Sequence, residues 1–265
     1  MKPRSAIVLS VAGSDSIAGA GIQADLRTLS ALGGYACTAI TAVTVQNSKG
    51  VRSINPVKPK IISEQILAIL EDFKVGAVKT GLIPNEASVR SIAQSLKKYP
   101  KIPLIIDPVI GSSSGTQFLS KKALLVLKKT LFPRALLVTP NLDEAERLSG
   151  MQITSGEDLL RAALAILKTG CGAVLIKGGH AQGSVCTDVL ILKTGQLYLF
   201  SGSRIKTQNT HGTGCVLSSA IAYYVARGDS MAAAVRKAKS FLRKHLVRGK
   251  AIKWGAGCGP ALGLF

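Results

Sequence analysis

The sequence predicts an α/β fold with a mainly parallel central sheet and helices on both of its faces. Three observations carry this. Apolar runs of strand length alternate with amphipathic stretches of helical length almost from end to end. The composition, 47% hydrophobic but only 5% aromatic and holding 27 glycines, suits a parallel sheet with close-packed helices. The 265 residues contain no repeat, low-complexity segment or long linker, so residues 1–265 are read as one domain large enough to bury a sizeable core.

The first strand is expected at residues 6–12. The basic start and apolar centre before it imitate a signal peptide, but that centre is short and runs directly into a glycine turn, so a buried strand is the better account. A helix over 22–32 stops at Gly33-Gly34. Further strands fall at 36–45, 75–79, 104–106, 136–139, 173–177 and 185–192. Between them, helical periodicity covers 61–73, 86–98, 121–129 and 143–148. Ser155-x-x-Asp158 forms a capping box for a helix over 157–169. Helices over 213–227 and 231–247 close the chain. No apolar run is long enough to span a bilayer.

In such sheets ligands collect at the carboxyl ends of strands. Six strand exits carry polar or glycine-rich motifs: GSDSIAGAG, TVQN, KTG, IDPV, VTPN and KGGH. The first contains Gly19-Ala-Gly21-Ile-Gln-Ala24, which has the form of a dinucleotide fingerprint. That fingerprint needs an acidic residue about 20 positions on, and residues 26–63 contain neither Asp nor Glu. A Walker A loop is excluded too, because no Lys-Ser or Lys-Thr follows the glycines.

The 34 basic residues against 14 acidic give a net charge of +20. They are spread along the chain without a tail or an aromatic-interleaved motif. The densest cluster, Arg236, Lys237, Lys239, Arg243, Lys244 and Arg248, falls on a late helix whose solvated face it can form. Anionic small ligands fit this charge as well as nucleic acid does. Five scattered cysteines without a C-x-x-C pair argue against a disulfide framework or zinc site and for a reducing cytoplasm.

The most informative stretch is Asn209-Thr-His-Gly-Thr-Gly-Cys215, followed by a strongly helical run. Glycines at 212 and 214 leave backbone N–H groups free where a helix begins, which makes an anion hole. Cys215 sits at that N-terminus, where a thiol pKa can be lowered. The plainer alternative is a glycine turn with a buried Cys.

GSDSIAGAGIQADL, AVTVQNSKGV, KTGL, IIDPVI, TPNLDEAERLSG, KGGH, NTHGTGC and the terminal GCGP, taken together and in order, closely resemble the hydroxymethylpyrimidine/phosphomethylpyrimidine kinases of thiamine biosynthesis. These belong to the ribokinase-like superfamily, so the resemblance implies a three-layer α/β/α fold. It implies ATP and Mg²⁺ as cofactors, a pyrimidine alcohol and its monophosphate as substrates, and a homodimer. Gly212, Thr213, Gly214 and Cys215 would stabilise the transferring phosphoryl group, with Cys215 as the base for the substrate hydroxyl. Lys177 would neutralise phosphate charge. Asp107 and Glu144 would hold Mg²⁺, directly or through water. Gln46 would read the aminopyrimidine edge, in a pocket lined by Gly13, Ala20, Asp25, Thr44, Leu82 and Val109. Asn141, Lys177, Thr210 and His211 would contact ATP. The glycine turn after the first strand would then be a substrate wall, where the pyrimidine approaches backbone. Two departures matter: the family's Ser-Gly-Gly run reads Ile17-Ala18-Gly19 here, and Ile110 follows IDPV where Met is more usual, a change expected to be tolerated. The rival readings are a pyridoxal kinase of the same superfamily and, from another class, a basic nucleic-acid-binding protein on a kinase fold.

Overall fold

A computed structural model describes residues 6–111, 117–180 and 184–261; the basic start of the chain lies outside them. The elements run β1 (Ile7–Ser14), α1 (Gly21–Ala31), β2 (Tyr35–Asn47), β3 (Gly50–Pro56), α2 (Pro59–Asp72), β4 (Ala77–Thr80) and α3 (Glu86–Lys97). Then come β5 (Leu104–Ile106), α4 (Lys121–Thr130), β6 (Leu137–Val138), α5 (Leu142–Ser149), α6 (Gly156–Leu167) and β7 (Ala173–Ile176). The last elements are β8 (Val185–Leu192), β9 (Leu197–Ser203), α7 (Thr213–Ala226) and α8 (Met231–Gly249). The capping box of α6 forms as expected: the Ser155 side chain accepts from the Asp158 N–H, and Asp158 accepts from that of Ser155.

One continuous sheet has the strand order β3-β2-β1-β4-β5-β6-β7-β8-β9. Its centre, from β2 through β7, is parallel, and β3, β8 and β9 pair antiparallel at the two ends. The sequence reading did not find β3 or β9. β3 (GVRSINP) is polar and largely exposed. On β9, Tyr198 and Phe200 pack inward while Leu197 and Leu199 face solvent, a half-buried alternation typical of an antiparallel strand.

The core confirms burial on both faces of the central strands. Leu9 and Val11 of β1, with Leu104 and Ile106 of β5, pack with Ile62 of α2 and Ile92 of α3 on one side. Val8 and Ile105, their alternates, pack with Leu29 of α1 and Ile221 of α7 on the other. This period-2 partition between two helical layers explains why the central strands read as unbroken apolar runs. α8 presents Arg236, Lys237, Arg243, Lys244 and Arg248 outward. Lys237 is tied to Asp229 and Lys239 to Asp188, at 2.7 and 2.6 Å.

From β1 the chain crosses to β2 on one side and later returns to β4 on the other. The strand order therefore reverses between β1 and β4, and a crevice opens at their carboxyl ends. The exits of β1, β4, β5, β6 and β7 share this rim.

Candidate active site

The wall after β1 is organised by Asp15, which is almost fully buried. Its carboxylate accepts from the backbone N–H groups of Ile17, Gly19 and Ala20, at 3.1, 3.0 and 2.8 Å, and so sets the turn. Burial opposes ionisation of Asp15. The hydrogen bond and charge of His211, with the N–H groups of Ile17 and Ala20, outweigh it and hold the carboxyl below its ordinary value. The glycines of this turn serve packing within the protein. A Cβ on Gly21, whose φ is +56°, would lie 2.2 Å from the Gly13 carbonyl oxygen; one on Gly19 would strike the His211 ring. Packing thus demands glycine at both positions, independently of the substrate-wall role that the resemblance implies.

Gln46, at the end of β2, faces the same turn. Its side-chain Nε2 lies 2.9 Å from His211 Nε2, and its backbone N–H donates to Ser16 Oγ. Thr44 donates to the Ser14 carbonyl, and Leu82 packs near Gly13. Ala20 lies against Gly212. Gly13, Ala20, Thr44, Gln46 and Leu82 are thus gathered around this one turn.

Two expected site residues stand elsewhere. Asp25 is wholly buried beneath the wall, where its oxygens accept from Ser10, Ser219 and Lys79. No capacity is left for a substrate, which corrects its placement in the pocket. His211, expected beside ATP, instead turns its ring into the substrate wall. The backbone of His211 is clamped by the terminal glycine motif: its N–H donates to Gly259 and its carbonyl accepts from Ala261. Thr210 lies at the rim against Cys258, its hydroxyl 3.2 Å from the sulfur.

On the other side of the crevice Asp107 follows β5, Asn141 caps α5 beyond the end of β6, and Lys177 follows β7. Lys177 Nζ lies 2.9 Å from Asp107 and 3.9 Å from Glu144. Burial disfavours the ammonium, but the two carboxylates more than compensate and hold its pKa above the ordinary value. Asn141 and Glu144 form a capping box at the start of α5, and Glu144 also accepts from the Ile110 N–H at 3.3 Å. Burial pushes the Glu144 carboxyl up; Lys177 opposes this and Asp107 reinforces it. Val109, between these groups, holds φ at 28°, a strained value for a β-branched residue. Two carboxylates cannot form an all-protein cage, and no cluster of three ligating side chains exists among the described residues. The hard-oxygen pair does suit Mg²⁺, which is commonly held by one or two carboxylates with waters and phosphate oxygens.

Between the two walls α7 begins. Its N-cap Gly212 has φ +80°, and a Cβ there would lie 1.9 Å from the Gly19 carbonyl oxygen. The Thr213 N–H is spent on the Thr210 carbonyl, which corrects the expectation that it faces phosphate. The N–H groups of Gly214 and Cys215 have no hydrogen-bond partner among the described residues. A Cβ on Gly214 would lie 3.2 Å from both Asp107 and Lys177, so this helix mouth opens directly onto the acid–lysine pair.

The Cys215 thiol does not follow the helix-terminus expectation. Burial pushes it up to about 11; Lys79 opposes this, while Asp25 and Asp107 reinforce it. Asp15 and Lys79 are the organising residues that sequence reasoning left without a role. Both sat inside quoted motifs, GSDS and KTG, and an Asp just before Gly- and Ala-rich backbone was the available signal.

A family model described as phosphomethylpyrimidine kinase matches residues 15–262. A hydroxymethylpyrimidine/phosphomethylpyrimidine kinase of Rhizobium meliloti is 43% identical over 96% of both chains. The chain belongs to the phosphomethylpyrimidine kinase family. A thiamine biosynthesis bifunctional protein of Geobacter sulfurreducens is 41% identical, and this kinase spans 51% of its length. The crystal structure of phosphomethylpyrimidine kinase from Clostridium difficile superposes with a TM-score of 0.80 at 40% identity, covering 91% of this chain and 99% of that one. Pyridoxal kinase from Staphylococcus aureus in complex with ADP gives 0.87 at 30% identity, covering 97% and 92%. The ribokinase-like three-layer architecture is therefore the fold of this kinase.

Proposed function

We propose that this kinase transfers the γ-phosphoryl group of ATP to the hydroxymethyl oxygen of 4-amino-5-hydroxymethyl-2-methylpyrimidine, and then to the resulting monophosphate, in thiamine biosynthesis. The observation that carries this reading is the meeting of three parts at one rim. They are the Gln46 wall, the Asp107–Lys177 pair, and the free N–H groups of Gly214 and Cys215.

Phosphoryl transfer depends on positioning and charge neutralisation more than on covalent chemistry. The helix mouth and Lys177 would receive the γ-phosphoryl oxygens. Asn141, which borders Lys177, would lie along the nucleotide. Cys215 would take the proton of the acceptor hydroxyl, and Gln46 would orient the pyrimidine by donating to and accepting from its edge. Asp107 and Glu144 would hold Mg²⁺, which when bound would supply positive charge to offset that of the phosphates. In this role Lys177 would exchange a carboxylate partner for phosphate.

One domain carries both half-sites in this reading, and the working unit is a homodimer in a reducing cytoplasm. Val43 and Val45, exposed on β2 beside the end strand β3, offer an apolar patch for a second copy. The described cysteines are unpaired, and no helix among the described residues is long and apolar enough to cross a membrane.

The likeness to pyridoxal kinases favours pyridoxal as a second acceptor. ATP consumption measured in parallel with the pyrimidine alcohol, its monophosphate and pyridoxal decides the matter. Turnover on both pyrimidines, exceeding that on pyridoxal, is expected; turnover on pyridoxal alone overturns the reading.

A further inference from the structure

His211 Nε2 has two polar neighbours, Asp15 Oδ2 at 2.8 Å and Gln46 Nε2 at 2.9 Å. Asp15 already accepts from three backbone N–H groups, and its environment keeps it ionised near neutral pH, so it can only accept. The hydrogen on Nε2 must therefore point to Asp15. A nitrogen that carries this hydrogen has no lone pair to offer an amide NH₂. The Gln46 amide must then be turned over, so that its oxygen takes the place of Nε2 beside His211 and shares that hydrogen, with the NH₂ on the far side. The two ends of an amide are interchangeable in shape, and only such a network assigns them.

We infer that the Asp15–His211 pair is a specificity-determining device, which fixes the direction of the Gln46 amide and thereby selects a 4-aminopyrimidine over its 4-oxo counterpart. The inference rests on the proposed reading of Gln46. With its oxygen on the His211 side, the amide accepts from an exocyclic amino group and donates to the adjacent ring nitrogen. A 4-oxo ring presents the reverse pattern: a carbonyl oxygen beside the amide oxygen, and a ring N–H beside the amide NH₂. To pair with it the amide would have to turn over, setting its NH₂ against the His211 N–H. Discrimination thus comes from a penalty on the wrong ligand, which Gln46 alone could not impose because a free amide serves either edge.

The arrangement is built into the backbone. Gly19 leaves room for the His211 ring, since a Cβ there would lie 2.4 Å from His211 Cδ2. The terminal motif holds the His211 backbone from the other side through Gly259 and Ala261. His211 also directly precedes Gly212, so the element that sets the pyrimidine's orientation is continuous with the phosphate loop.

The test compares kcat/KM for the 4-amino alcohol and the matching 4-oxo alcohol in the parent, His211→Phe, Gln46→Leu and the double variant. Phe keeps the ring that packs on Gly19 and removes the N–H. The parent should prefer the amino compound, and His211→Phe should reduce that preference about tenfold or more, chiefly by gaining activity on the 4-oxo compound. In the Gln46→Leu background, His211→Phe should have no further effect on the ratio. An unchanged ratio in His211→Phe, or an equal loss on both compounds, overturns the inference while leaving Gln46 as the pyrimidine contact. If Gln46→Leu itself leaves both compounds unaffected, the reading of Gln46 fails, and the inference falls with it.

Discussion

The Lys79 ammonium lies 2.9 and 2.8 Å from the two carboxylate oxygens of Asp25, and neither side chain is exposed to solvent. The pair joins β4 to α1 directly under the crevice. Ser219 ties it to α7 and Ser10 ties it to β1. Burial alone would favour neutral Lys79, but Asp25, aided by Cys215 and Asp107, raises its pKa above the ordinary value.

Removing one member of such a pair leaves an uncompensated buried charge. Lys79→Met or Asp25→Leu alone should destabilise the protein by about 3–5 kcal/mol, whereas the double replacement should cost markedly less. Chemical denaturation of the three variants checks this. Equal loss in single and double variants would show that packing rather than charge pairing matters there.

Asp107 and Glu144 should respond unequally to mutation. Asp107 faces Lys177 and the mouth of α7, while Glu144 already accepts from two backbone N–H groups. Asp107→Asn should therefore raise the Mg²⁺ concentration for half-maximal rate more than Glu144→Gln does. Glu144→Gln should in addition lower stability by about 1 kcal/mol through its weakened cap. Mg²⁺ titrations of initial rate, with melting curves for both variants, test the two halves separately. Unchanged Mg²⁺ profiles in both would make these acids structural.

The layered fold was legible because β1 and β4 to β7 are buried on both faces, so their apolar runs were unbroken. β3 and β9 escaped because end strands need only one buried face. The gathering of the rim motifs at one crevice was legible, since turn chemistry and exit position are local properties. What sequence could not supply was direction. Asp25 and Asp15 flank the same glycine turn, and only tertiary packing sends Asp25 downward onto Lys79 and Asp15 across onto His211. The misplaced His211 and the raised Cys215 thiol have the same origin: neighbours remote in sequence override what the helix terminus suggests.

Ala18 holds φ at +56°, where the family resemblance led us to expect glycine. A Cβ in the left-handed region costs about 1–2 kcal/mol, while replacement by glycine gives back roughly 0.4–1 kcal/mol of unfolded-chain entropy. Ala18→Gly should therefore be neutral to stabilising by about 1 kcal/mol. Ala165→Gly, inside α6, should destabilise by about 0.5–1 kcal/mol. Thermal melts of both variants make the comparison. Equal destabilisation would show that position 18 carries no strain.

Cys215 tests whether a side chain at the helix mouth contributes beyond the backbone. Its thiol, pushed up to about 11, is protonated at neutral pH when no substrate is bound. Alkylation proceeds through the thiolate, so its rate should climb with pH and level off only near the raised pKa. Relative to an ordinary thiol of pKa 9.0, the thiolate at pH 7 is about 100-fold scarcer. Each thiolate is more nucleophilic, which recovers roughly tenfold, so alkylation should be about tenfold slower than that of an unperturbed cysteine. A protonated thiol cannot accept a second proton. The base role therefore requires Cys215 to release its proton to solvent when substrates bind. As thiolate it then takes the proton of the acceptor oxygen as that oxygen bonds to phosphorus. General-base assistance of this kind is typically worth about 10²–10⁴ in rate. Cys215→Ala keeps the N–H groups of residues 214 and 215, so kcat should fall by about that factor with little change in the KM for ATP. Cys215→Asp should restore part of the rate. If Cys215→Ala retains nearly full kcat, the thiol is a packing residue against Ala24 and Val216, and the loop acts through its backbone alone.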